Sequence, residues 1–230
     1  MSKRVLVSWS SGKDCAWMLR TLKKQEDVEL VGLLTTVNAQ CERVAMHSTR
    51  LAILNAQASS LGLPLQVVPL PWPCTNVQYE LAMHAALEMA ASQNVTHLAF
   101  GDLFLEDIRD YRCRLLQNSG IEPWFPIWQE STETLAHQLI DEGFEAYLTC
   151  VDAKKLPSSF AGRRFDRNLL NELPNDIDPC GENGEFHTCV LDGPIFKSRI
   201  HATIGAIVER DGFIYSDLIP AAEARRSIIT

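Results

Sequence analysis

Five short apolar runs alternate with amphipathic, helix-like segments through the first 125 residues, and this alternation limits the fold more than any other feature. The runs are Arg4–Ser8, Glu29–Thr35, Leu65–Val68, His97–Gly101 and Ile121–Phe125. Between them, helical spacing predicts helices over Asp14–Lys24, Met46–Leu61, Asn76–Ala91 and Arg109–Asn118. Gly62 and Pro64 supply a stop signal for the second, and Thr75 or Asn76 a cap for the third. Strands joined by helical crossovers must run parallel, and a parallel sheet needs helices over both faces. The expected fold is therefore α/β, with a Rossmann-like parallel five-stranded sheet. Binding residues then belong at the C-terminal ends of strands, where Ser10–Asp14, Thr35–Asn38, Pro69–Trp72 and Gly101–Asp107 fall.

The first of these positions carries the most chemistry. Val5-Leu6-Val7-Ser8 runs into Trp9-Ser10-Ser11-Gly12-Lys13-Asp14-Cys15 and then directly into a helix. Such a turn gathers unpaired N–H groups and the positive helix end in one place, and that favours an anion. It reads as a phosphate cradle, with an ordinary strand-to-helix turn as the plain alternative. It is not a Walker A loop, because Val7 stands where the first glycine belongs and Asp14 follows the lysine. Asp14 at a helix start opposes a bare phosphate, so the phosphate is expected to arrive with Mg²⁺.

Pro123, Pro126 and Trp128 mark a boundary, giving expected domains of residues 1–128 and 129–230. Beyond it, helices are expected over Ser131–Glu142 and Asp166–Glu172, and strands over Phe144–Val151, Ile200–Val208 and Phe213–Leu218. Asp211-Gly212 suits the hairpin between the last two. The last ten residues read as a loose tail. Between these elements lies Asp178–Thr188, with two glycines, several carboxylates and a histidine. Glu182, Glu185 and His187 are candidates for a substrate or ammonia site, against a structural turn network or a weaker metal reading. Gly101 and Asp102 with Arg109 and Arg112 form a third cluster, a ligand site or a solvated helix start. His47 is a candidate nucleotide or substrate contact, and Trp72 would stack on a base or pack the domain junction.

Composition narrows the partners. A chain of 230 residues that is 46% hydrophobic can bury a core, and a formal net charge of −8 argues against nucleic acid as a partner. There is no apolar run long enough for a membrane span and no signal-peptide apolar region. The seven cysteines are scattered, with no Cys-x-x-Cys pair, so a cytoplasmic protein is expected. A homodimer is left open.

The loop Ser10-Ser11-Gly12-Lys13-Asp14-Cys15 resembles the Ser-Gly-Gly-x-Asp-Ser pyrophosphate loop of the N-type ATP pyrophosphatases, with Ser11 and Cys15 as departures. Four further stretches resemble the diphthine–ammonia ligase-like branch, also called the ATP-binding domain 4 family. They are Arg43-Val44-Ala45-Met46-His47; Phe100-Gly101-Asp102 with Glu106 and Arg109; Gly162-Arg163; and Asp178 to Thr188 with its Gly-Glu-Asn-Gly-Glu core. The resemblance implies a HUP-class, adenine-nucleotide-binding domain followed by a smaller C-terminal α+β acceptor-substrate domain. It implies that ATP adenylates a carboxylate, releasing pyrophosphate, and that ammonia or an amine then displaces AMP. The expected partners are thus a carboxylate-bearing acceptor, small molecule or modified protein side chain, and an amine. Ser8, Ser10, Ser11, Gly12, Lys13, Asp14, Cys15, Thr35, His47 and Gly101 would bind ATP, and Asp14 and Asp102 would meet Mg²⁺. Lys13, Asp14, Asp102, Arg109, Glu182, Glu185 and His187 would carry the reaction. Two alternatives are a tRNA or small-molecule thiolation enzyme and an adenine-nucleotide sensor without turnover. The chain is shorter than the eukaryotic enzyme, which leaves a role outside diphthamide synthesis open.

Overall fold

Strand β1 (Lys3–Ser8) lies at the centre of the first sheet because its apolar run serves both faces. It pairs in parallel with β2 (Val28–Asn38) on one side and β5 (His97–Ala99) on the other. Parallel β4 (Leu65–Leu70) extends the sheet beyond β2, and parallel β6 (Glu122–Trp124) beyond β5. The structure, a computed structural model, describes residues 2–221. The tail expected over the last ten residues lies, after Ala221, outside the described residues.

Side-chain alternation along β1 divides the core. Val5 and Val7 pack with α1 (Lys13–Leu22) and α2 (Leu51–Leu61), whereas Leu6 packs with α3 (Asn76–Ser92) and Leu115 of α4 (Glu106–Leu115). That is the period-two arrangement of a strand buried on both faces. The expected parallel five-stranded sheet with helices on both faces is thus present. A sixth, two-residue strand, β3 (Arg43–Val44), adds an antiparallel pairing to Val37 and Asn38 of β2.

The second sheet is wholly antiparallel, in the order β8-β7-β10-β9. Its strands are β7 (Glu145–Asp152), β8 (Phe186–Asp192), β9 (Ala202–Arg210) and β10 (Phe213–Pro220). Helices α5 (Thr132–Asp141) and α6 (Arg167–Glu172) accompany it, capped by the side chains of Ser131 and Asp166. Asp211 and Gly212 take φ of 54° and 81°, as the β9–β10 hairpin requires.

Three local expectations are corrected. Helix α2 begins at Leu51 rather than Met46, because Met46 and Ser48 take left-handed φ of 59° and 55° in the turns after β3. Helix α4 starts at Glu106, three residues before the expected Arg109. Strand β8 begins inside the glycine-rich stretch that reads as a loop, so His187 and Thr188 are strand residues.

The two sheets share one core. Helix α1 is buried on nearly every side, and Trp17, Met18 and Leu22 belong to the same cluster as Phe144, Leu148, Phe186 and Val190. Between β10 and the β3–α2 corner, Asp217 receives hydrogen bonds from Arg43 at 2.8 Å and Arg50 at 2.6 Å. No helix among the described residues is long and apolar enough to cross a membrane.

Burial would raise the Asp217 carboxyl, but the bonds from Arg50 and Arg43 outweigh it and hold the group well below the usual carboxylate range. Its stabilisation is full above the unfolded value of about 3.9 and is lost as pH falls through the range beneath it. Asp217→Asn should cost about 1–3 kcal/mol at neutral pH. Urea unfolding should show a lower midpoint with unchanged slope, and the gap to the natural protein should narrow below about pH 4.

Candidate functional site

The turn after β1 is shaped by close approach. Ser11 takes φ of 76°, a conformation that costs an L-residue roughly 1–2 kcal/mol. Its buried hydroxyl offsets part of this through a 2.8 Å hydrogen bond with Thr49. A Cβ on Gly12 would lie 3.0 Å from His47 Cε1 and 3.3 Å from the Thr188 carbonyl oxygen. At the end of β5, a Cβ on Gly101 would lie 3.1 Å from both Asp14 C and Cys15 N. The loop is thus packed between β5 and β8 with no room to spare.

Strand β8 also bonds the loop directly. The Thr188 hydroxyl accepts the Lys13 N–H at 3.1 Å, and the Val190 N–H donates to the Ser11 carbonyl at 2.9 Å. The Thr188 carbonyl takes Nδ1–H of His47 at 3.1 Å, which leaves Nε2 of a neutral ring as an acceptor.

Lys13 is almost entirely buried. Its ammonium donates to Asp14 Oδ1 at 2.9 Å and to the Cys180 carbonyl, and lies over the rings of Phe186 and Phe165. Burial alone would depress this lysine, but Asp14 foremost, with Cys180 and Glu182, holds it above its ordinary value. A buried charge needs such pairing. Lys13 therefore joins α1 to the 178–182 segment.

Above this pair opens a cavity of about 250 Å³. Asp14, Asp102, Glu182, Arg112, His47 and His187 bring ionisable side chains to its wall. Glu182 accepts the Leu103 N–H at 2.8 Å, tying the segment after β5 to the glycine-rich loop. Burial first, then the Asp14 charge, push its carboxyl up to about 7. Burial also raises Asp102, while Arg112, 3.5 Å away, opposes the shift. His187 is lowered well below its ordinary value by burial, then by His47 and Lys13. Burial lowers His47 too, so the two tilted rings, 4.7 Å apart, are both neutral. The Cys15 thiol donates to the Gly12 carbonyl at 3.0 Å, and burial pushes it up to about 11, so it is no thiolate.

A second chamber of about 210 Å³ adjoins the first and shares Ser8, Ser10, His47, Phe100 and Arg112. Val44, Ala45, Tyr79 and Met83 make its wall less charged, and the buried Thr35 hydroxyl there has no hydrogen-bond partner.

Of the residues expected from sequence, Ser8, Ser10, Lys13, Asp14, Cys15, His47, Gly101, Asp102, Glu182 and His187 line the first cavity, and Thr35 the second. Ser11 and Gly12 lie behind the wall and set its shape. Arg109 is not brought in: its guanidinium lies 4.8 Å from the Trp128 ring and 5.4 Å from Phe125. Arg112, one turn on, lines the cavity instead. Glu185 is buried within its own loop, accepting from the Asp178 N–H and the Asn183 amide. Trp72 is 59% exposed and lines neither chamber. Thr49 had no sequence signal, and Thr188, though inside the singled-out stretch, gave no sign of its bond to Lys13, 175 positions away.

Among the described residues, no three His, Cys, Asp or Glu side chains are grouped closely enough to hold a metal ion alone. The donor set still fits Mg²⁺ accompanied by phosphate oxygens. Three carboxylates crowd one cavity, and the buried Asp102 Oδ2 has only the Arg112 guanidinium, 3.5 Å away and short of a hydrogen bond. Magnesium characteristically takes one or two carboxylates and completes its shell with water and phosphate.

A family model described as Diphthamide synthase N-terminal domain matches residues 3–123, and one described as Diphthamide synthase C-terminal domain matches residues 131–214. A diphthine–ammonia ligase of Schizosaccharomyces pombe is 36% identical over 94 residues, covering 39% of this chain and 16% of that protein. The Homo sapiens diphthine–ammonia ligase is 33% identical over 86 residues, 35% of this chain and 32% of its own length. The Danio rerio protein of that name is 31% identical over 147 residues, covering 59% of this chain and 54% of its own length. The matches thus span at most about half the length of these relatives.

The fit at Gly101 gives a direct check on the loop geometry. Gly101→Ala should cost about 1–3 kcal/mol, because backbone rather than a movable side chain meets the new methyl. Thermal unfolding reads this as a lowered Tm; an unchanged Tm would mean the loop and β5 are not in contact.

Proposed function

Because the chain belongs to the diphthamide synthase family, we propose that it is an ATP-dependent, amide-forming ligase releasing AMP and pyrophosphate. The observation that carries this reading is one cavity shared by Asp14 and Asp102 from the parallel-sheet part and Glu182 and His187 from the C-terminal part. We assign residues 1–128 to ATP and residues 129–230 to the acceptor. A cytoplasmic setting fits the seven cysteines, which form no disulfide.

In this reading the triphosphate lies at the N-terminus of α1, with the Ser10 hydroxyl as donor and the helix end favouring its charge. The base and ribose occupy the adjoining chamber, where the Thr35 hydroxyl gains a partner. Lys13, being consumed by Asp14 and the Cys180 carbonyl, shapes the floor of the site. Asp14 and Asp102 hold Mg²⁺, which when bound offsets negative charge on the phosphates. Arg112 orients the incoming carboxylate or a phosphate. A carboxylate oxygen attacks the α-phosphorus, and the bond from that phosphorus to pyrophosphate breaks. Ammonia then attacks the carboxyl carbon and AMP leaves with its oxygen. The nitrogen sheds a proton to Glu182, whose carboxyl near 7 suits proton transfer at neutral pH. Neutral His47 and His187 offer lone pairs rather than positive charge to an ammonium ion.

The thiolation alternative gains no support. The Cys15 and Cys180 thiols in the wall are both raised by burial, so neither is an activated nucleophile.

AMP and pyrophosphate release should be measured with ATP, Mg²⁺ and panels of carboxylates and amines. ATP binding without AMP from any pair would replace the ligase with a nucleotide sensor. Asp102→Asn should reduce AMP formation at least about a hundredfold while leaving the circular dichroism spectrum intact, whereas Asp14→Asn should lose stability as well as activity because it leaves the buried Lys13 charge unpaired. Arg112→Ala should lower kcat/KM about tenfold or more, and Arg109→Ala by less than about threefold. A reversed order for the two arginines would remove Arg112 from the site.

A further inference from the structure

Helix α2 turns one polar side chain into the core. Gln57 is fully buried beside Ile53, Leu54, Ala58 and Leu61, a position where leucine would satisfy packing alone. Burying an amide is costly unless its groups are bonded. Those of Gln57 are bonded, and to three residues on two segments, the turn after β1 and strand β8. Its Oε1 accepts from Trp9 Nε1 at 2.8 Å. Its Nε2 donates to the Ser11 carbonyl at 3.2 Å and to the Val190 carbonyl at 2.7 Å. The amide orientation is fixed by its partners, because the indole can only donate and the two carbonyls can only accept.

These partners are not scattered through the core. Trp9 is the last residue before the turn, and Ser11 is its left-handed residue. Val190 lies two positions beyond Thr188, which holds the Lys13 N–H. We propose that Gln57 is the positioning residue that fixes the Ser10–Gly12 turn against strand β8, so that the ATP-side loop and the acceptor-side strand share one geometry. This rests on the ligase reading for the identity of the ligand, but the bonds stand without it. An apolar residue at 57 would fill the space and leave the Ser11 carbonyl with only the Val190 N–H.

Two variants test the role. Gln57→Met keeps the volume and loses all three bonds; kcat/KM for ATP should fall about tenfold or more. Gln57→Glu keeps the acceptor for Trp9 and guards against a Met variant that does not fold. Protonated, this carboxyl donates one bond; ionised, it faces two carbonyls. Its kcat/KM relative to the natural chain should therefore decline from about pH 6 to about pH 9, where a buried carboxyl titrates. The titratable neighbour is Cys189, 3.8 Å from Nε2, and burial pushes its thiol up to about 12, outside that window. A pH profile parallel to that of the natural chain, or kcat/KM within about twofold in both variants, would overturn the proposal. If the natural chain binds ATP without forming AMP, the ligase reading falls, and the ATP dissociation constant by calorimetry tests Gln57 by the same ratios. If it binds no ATP, both fall.

Discussion

The burial of the Lys13 ammonium is the interaction on which the rest of this structure depends. A cation removed from water must be neutralised and hydrogen-bonded nearby. Asp14 supplies the charge, the Cys180 carbonyl a further acceptor, and Phe165 and Phe186 the enclosing faces. Two of these four partners lie in the glycine-rich segment and at the start of β8. Lys13 and the C-terminal part therefore need one another. The loop after β1 is not a free-standing cradle on a parallel sheet but one side of a joint between the two sheets.

Helix α1 has the same character at the level of packing. A helix covering an open parallel sheet ordinarily shows one apolar stripe and one wet face. In α1, Cys15 through Leu19 and Leu22 are all buried, because the second sheet covers what solvent would otherwise reach. The cavity then opens at the N-terminus of this doubly covered helix, with carboxylates from both parts facing one another across it. Loss of water first, and then the Asp14 charge, raise both Glu182 and Asp102.

Much of this was legible in the chain. Period-two runs separated by helical segments demand a parallel sheet, and strand-end placement singled out the loop, Thr35 and Gly101-Asp102. The glycine-rich stretch stood out from composition alone, as a candidate ligand loop against a structural turn network. Other features were not. Arg109 and Arg112 look equivalent in sequence; which one faces the cavity depends on the rotation of α4, set by Phe125 and Trp128 packing on Arg109. Glu182 and Glu185 are equally plausible acids, yet the turn at Gly184 directs one to the wall and folds the other into the loop. The start of α2 was misplaced because left-handed turns at Met46 and Ser48 leave no mark on apolar periodicity. Gln57 has a polar identity inside an apolar stripe, a signal that something is bonded there without saying what.

By itself, the sequence determined the five parallel strands of the first sheet, the turn that begins α1 and the residue types gathered at the strand ends. These follow from short-range rules, since apolar period, capping and glycine conformations are encoded within a few residues. Only the tertiary structure decided that β8 seats against the loop, that Lys13 is paired with Asp14 and the Cys180 carbonyl, and that Arg112 and Glu182 face the cavity. Those outcomes depend on hydrogen bonds and charge pairs between segments far apart in the chain. Their energies arise from desolvation, which exists only once the two sheets have closed over α1.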